Sequence, residues 1–115
     1  MSELHTLIEN PLPDILHDSK FRLALDAHHS FFLQQGNYEV KNVDDHQAQK
    51  YRYDLTGYLT SVGVTRERHY VTMRLNGMTS MTEFTYDRFK ALIIPTANAI
   101  SEIFSRYKTT MGSVL

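Results

Sequence analysis

Asp54 to Thr65 reads DLTGYLTSVGVT, and this stretch decides how the rest of the chain is read. Leu55, Tyr58, Leu59 and Val62 recur at helical spacing, and Tyr51 extends the same face upstream. The spacing predicts one helix from Asp45 to Val62. Gly63 stands where a left-handed residue ends such a helix. Thr65 then opens a second helix. Arg68 occupies the position where a capping box would hold Glu or Gln, so the start rests on Thr65 alone. Tyr70, Met73 and Leu75 are its apolar residues, and Asn76-Gly77 stops it. Downstream, Met78 to Arg88 reads as a polar loop. Ala91-Leu92-Ile93-Ile94 reads as a short buried strand ended by Pro95, and upstream Tyr38-Glu39-Val40-Lys41 alternates as a strand should.

The flanks carry less pattern. Asn10-Pro11-Leu12-Pro13 excludes regular helix, because each proline biases its predecessor toward extended backbone. Met1 to Pro13 therefore reads as an arm, whose Leu4, Leu7, Ile8 and Leu12 either dock on a neighbour or fold back. From Asp18 to Gln35, Phe21, Leu25, His28 and Phe32 form one helical face, capped by Asp18 and ended at Gly36-Asn37. A strand through Phe21, Leu23 and Leu25 is the rival, and the longer-lasting helical spacing outweighs it. After Thr96, the stripe Ile100, Ile103, Phe104 and Tyr107 predicts an amphipathic helix, with Met111 to Leu115 as a loose tail.

The 115 residues suit one globular domain. Its zones are 1–37 (arm and helix), 38–96 (core) and 97–115 (helix and tail). A hydrophobic content of 42% with 22% charged residues argues against disorder. The net charge of −1 lacks the positive surplus with which proteins usually hold phosphate backbones. With no cysteine, disulfides and thiolate metal sites are excluded. Met1 to Asn10 has neither a basic segment nor an apolar core of the signal-peptide kind. No stretch approaches the roughly 20 apolar residues of a membrane span.

The order strand, helix, turn, helix, loop, strand, with Asp54-Leu55, Gly63-Val64-Thr65, Asn76-Gly77-Met78 and Leu92-Ile93-Ile94-Pro95 at its joints, resembles the LysM family. The resemblance covers about half the chain. Three features depart from the family's pattern. Asp54 falls inside the expected helix, the first strand lies several residues further upstream, and the second helix is longer by about one turn. That longer helix, and the extra segments at both ends, look more like the LysM-like structural proteins of contractile phage baseplates. The resemblance implies an α+β fold with a small βααβ core. In wall-binding members the glycan contacts would map to the loops holding Val43, Asp44 and Asp45, and Gly77, Met78, Thr79 and Ser80, up to Thr82.

Other chemistry has weaker support. Asp44-Asp45-His46 is a metal candidate by type, but no second His lies three or four residues away, and either Asp serves more simply as a helix cap. His28 and His29 are adjacent and share a helix face poorly. Ser61 and Ser80 have no local base, and there is no Gly-x-Ser-x-Gly elbow or phosphate-binding glycine loop. Asp44, Asp45, Asp54, Glu67, Glu83 and Asp87 qualify as paired carboxylates only by default. Lys50, Arg52, Arg66, Arg68 and Arg74, interleaved with Tyr51, Tyr53 and Tyr70, suggest a track for nucleic acid, which Asp54, Glu67 and Glu83 dilute.

Seven Tyr and six Phe exceed what one small core obviously needs, which points to interfaces. The expectation is a non-catalytic structural subunit of a phage tail or baseplate, without cofactor or metal, located in the virion after synthesis in the host cytoplasm. Its partners would be other virion proteins, with peptidoglycan as a secondary candidate, no membrane, and nucleic acid disfavoured. The stripe Ile100, Ile103, Phe104 and Tyr107 would be its docking helix, so that Ile103→Asp blocks assembly and leaves the domain folded. A peptidoglycan-binding LysM module is the runner-up, disfavoured by the lack of an export signal. A small cytoplasmic regulator that offers its last helix to a partner groove is a third reading.

Overall fold

The computed structural model describes residues 19–114. The N-terminal arm and the expected cap at Asp18 lie outside them. The elements are α1 (Ser19–Ala27), α2 (His29–Phe32), β1 (Tyr38–Asn42), α3 (Asp45–Lys50), α4 (Leu55–Ser61), α5 (His69–Leu75), β2 (Ala91–Pro95) and α6 (Ala97–Val114). Arg66–Arg68 forms a 3-10 turn leading into α5, and Met81–Glu83 forms another before β2. The fold is α+β, with two antiparallel strands and helices inserted between them.

The helix expected over Asp45 to Val62 is broken into α3 and α4. Asp44 caps α3 by accepting from the Gln47 N–H at 2.9 Å. The helix stops at Tyr51, and Tyr53 turns to a φ of 64°. A left-handed tyrosine costs roughly 1–2 kcal/mol. The Tyr53 N–H offsets part of that by donating to the Phe84 carbonyl at 2.8 Å. Asp54 then caps α4 by accepting from the Gly57 N–H at 2.9 Å. Gly57 leaves room for this cap, because a Cβ there would sit 2.8 Å from the Tyr51 ring and closer still to the Asp54 carboxylate, which would have to shift. Asp54 thus starts a helix rather than lying within one. Periodicity missed the break because both helices face the same interior. Ala48 of α3 and Leu55, Tyr58 and Leu59 of α4 are buried in one cluster, with Tyr51 and Val62 packed against it.

Gly63 and Gly77 take positive φ, of 84° and 79°, and terminate α4 and α5 as their sequence positions predict. The segment after Gly77 is less polar than expected. Met78 and Phe84 are fully buried, and the Phe84 ring lies 4.9 Å from that of Tyr58. The loop therefore closes the floor of the first cluster, which also takes Val43, Val64, Met73, Phe89, Leu92 and Ile94.

A second cluster forms on the other side of α5. Val71 and Leu75 face it while Met73 faces the first, so α5 is covered on two sides. Leu25 of α1, Phe32 of α2, and Ala99, Ile100 and Ile103 of α6 complete it. Tyr70 packs against both clusters. The helix expected over Asp18 to Gln35 is interrupted at His28, whose Nδ1 is 2.7 Å from the Ala24 carbonyl. A polar clasp holds α1 in place: Asp26 accepts from the Tyr70 hydroxyl at 3.1 Å and pairs with Arg74 at 3.3 Å. α6 continues to Val114, into the stretch expected to be a loose tail.

Asn76 joins the two halves. Its amide NH2 donates to the Thr72 carbonyl at 2.6 Å and the Ile93 carbonyl at 2.8 Å, and its carbonyl accepts from the Ile93 N–H at 2.9 Å. The side chain thereby imitates a strand neighbour on the outer edge of β2.

Candidate functional site

The two loops implied by the LysM resemblance are largely consumed by the fold. Val43 and Met78 are buried in the first cluster, so neither is available to a ligand. Asp44 is a cap, and Asp45 accepts from the Gln49 amide at 3.2 Å. Gly77 serves the left-handed turn. Thr79 and Ser80 are exposed, but Glu83 holds them. Its carboxylate accepts from the Ser80 N–H at 2.8 Å, the Thr79 hydroxyl at 2.9 Å and the Thr79 N–H, within a capping box that Ser80 and Glu83 form. These bonds, the Thr79 N–H first, lower the Glu83 pKa below its ordinary range. The loops meet through their buried residues in one cluster; among the described residues no hydrogen bond joins them.

The expected docking stripe faces inward. Ile100 and Ile103 are 0% and 1% exposed, and Phe104 and Tyr107 are half-buried against the same cluster. The amphipathic signal was real, but the chain's own α1, α2 and α5 cover the apolar face. A clamp on a neighbour built from Ile100 and Ile103 does not fit this packing.

Among the described residues no group of three or more His, Cys, Asp or Glu is placed to hold a metal ion. Nor is any helix among them long and apolar enough to cross a membrane. Of the basic set, Arg68 donates to the Pro95 carbonyl at 3.4 Å and lies 3.9 Å from Glu39, and Arg74 is paired with Asp26. Lys50, Arg52 and Arg66 are exposed. Like Tyr58, His69 is a deeply placed titratable group. Its Nε2–H donates to the Val64 carbonyl at 2.9 Å, which fixes the tautomer and leaves Nδ1 buried without a partner. Burial pushes its pKa down, the Val64 bond opposing. His69 thus tethers the turn after α4 to α5 as a neutral side chain. Burial, and then the Asp44 carboxylate, raise the Tyr58 phenol, which stays protonated.

One accessible feature among the described residues is a polar notch that sequence reasoning did not single out. Gln49 and Arg52, from the end of α3 onward, face Thr85, Tyr86 and Asp87 of the loop before β2. The Arg52 guanidinium lies 4.9 Å from the ring of Tyr53, which is 53% exposed, and the Lys90 ammonium lies 3.8 Å from the Tyr86 ring. The Tyr53-to-Phe84 hydrogen bond fixes one wall against the other. Such cation–aromatic contacts hold rings still at a surface, as interface residues are. The only sequence signal for it was the Tyr/Arg richness of 51–53.

The chain matches no protein-family model, no curated protein and no solved structure.

Proposed function

We propose that this chain is a non-catalytic structural subunit, with a LysM-like core in which three short helices lie between the two strands, that acts by protein–protein docking in a phage tail or baseplate. The observation that carries this reading is the second cluster. Segments from both ends of the chain, α1–α2 and α6, fold onto the outer side of α5 and turn a small core into a larger rigid block. That architecture suits a part whose task is to hold shape between neighbours. Docking then falls to surfaces left over from the core: Leu23 at 67% exposure, Val40 at 61%, Tyr53 at 53% and Leu33 at 40%. Of these, exposed Tyr is the type enriched among interface anchors.

A peptidoglycan-binding module is the second reading, favoured by one observation. The Gln49, Arg52, Thr85, Tyr86, Asp87 notch offers an aromatic ring among polar groups, a combination suited to sugars. One pair of measurements separates the two. Antibody against the chain should label tails of virions from the phage that encodes it, and the purified protein should not co-sediment with peptidoglycan. Co-sedimentation abolished by Tyr86→Ala, with unlabelled virions, would replace the docking reading by the wall-binding one.

A further inference from the structure

The hydrogen-bond parity of β1 is fixed at both its ends. The Thr96 N–H donates to the Asn37 carbonyl and the Val43 N–H to the Lys90 carbonyl, each at 2.9 Å. Both pairs continue the register Tyr38↔Pro95 to Asn42↔Ala91. In an antiparallel ladder, residues that exchange bonds with the partner alternate with residues that face away from it. Asn37, Glu39, Lys41 and Val43 therefore face β2, whereas Tyr38, Val40 and Asn42 turn their N–H and C=O groups outward. The same parity turns Ile93 outward on β2, which is where Asn76 bonds it. The two edges of the sheet thus differ. Asn76 occupies the centre of the β2 edge, but among the described residues nothing bonds the outward groups of β1. Val40, at its centre, is 61% exposed.

An open edge is a template for another strand. We infer that the β1 edge pairs with the β1 edge of a second copy, antiparallel, with Val40 opposite Val40. The charges select this occupant and this register. Outward groups must meet outward groups, so the pairing can slide only by steps of two residues. With Val40 opposite Val40, Tyr38 meets Asn42 and Glu39 meets Lys41, and the two-fold axis repeats both pairs. A step one way opposes Glu39 to Glu39, and a step the other way opposes Lys41 to Lys41. Like charges directly opposite destabilise a ladder and unlike charges support it. Glu39 is 61% exposed despite its approach to Arg68, so it is accessible to a second chain. The product is an isologous dimer in which two two-stranded sheets merge into one. Edge pairing alone buries little area, so the dimer forms in a concentration-dependent way. The inference is independent of the proposed function.

Sedimentation of the full chain across a concentration series tests it. The expected mass rises from 13.4 kDa toward twice that value. K41E places like charges opposite in both pairs and should weaken dimerisation about tenfold. E39K/K41E exchanges the signs and should restore it. V40P removes an outward N–H and no bond to β2, and should abolish dimerisation while the circular dichroism spectrum stays native. A wild type that remains monomeric into the high micromolar range overturns the inference. So does a dimer indifferent to both V40P and K41E, and failure of the double variant to rescue K41E overturns the register.

Discussion

Ile103→Ala is the sharpest test of where α6 belongs. Ile103 is 1% exposed and sits among Leu25, Phe32, Val71, Leu75, Ala99 and Ile100. Truncating such a side chain removes its transfer free energy and leaves a cavity, which together cost about 2–5 kcal/mol. The site cannot collapse easily, since neighbours on three other helices, as well as on α6 itself, hold its walls. A cost of about 3 kcal/mol is therefore expected. At about 2.1 cal/mol/K of unfolding entropy per residue, a chain of 115 residues has roughly 0.24 kcal/mol/K at its midpoint. The variant should thus melt about 12 °C below the wild type. Thermal unfolding followed by far-ultraviolet circular dichroism reads this directly. Glu102→Ala is the control on the same helix. It removes only an exposed pair with Arg106 at 2.9 Å, which should matter by no more than about 0.5 kcal/mol. Equal melting of the two variants would refute the packing and return the stripe to the surface as a docking face.

Two further predictions concern side chains that hold the halves together. Asn76→Ala strands the Ile93 N–H and C=O at a half-buried strand edge and should cost about 2–3 kcal/mol by urea denaturation; a loss below about 0.5 kcal/mol would show that Asn76 does not stitch α5 to β2. Because burial depresses the His69 pKa, the unfolded chain takes up a proton at higher pH than the folded one, so this group's contribution to stability falls as pH drops through 6.5 toward the lowered folded value. The pH–stability slope in that window should be shallower in His69→Gln, and an unchanged slope would show that His69 titrates normally.

Several elements were legible because their causes are local. Gly63 and Gly77 ended helices where a left-handed residue was needed, and the β1 and β2 segments announced themselves by alternation and by a short apolar run before Pro95. The break between α3 and α4 was not legible, because an unbroken apolar spacing is compatible with two helices that face one cluster. Asp44 carried a cap signal, but Asp54 read as a residue inside the helix, and only the left-handed backbone at Tyr53 frees it to cap a second one. The notch was hidden for a different reason. Gln49 and Arg52 are more than thirty residues from Thr85, Tyr86 and Asp87, and nothing local brings them together.

By itself the sequence determined which residues are apolar, at what period, and where the backbone must reverse. Those are properties of single residues and near neighbours. Only the tertiary structure decided what covers each apolar face. It gave Ile100 and Ile103 to the chain's own second cluster and left Val40 uncovered. It also set the ladder parity that turns Tyr38, Val40 and Asn42 outward, because a strand's bonding direction depends on its partner's position.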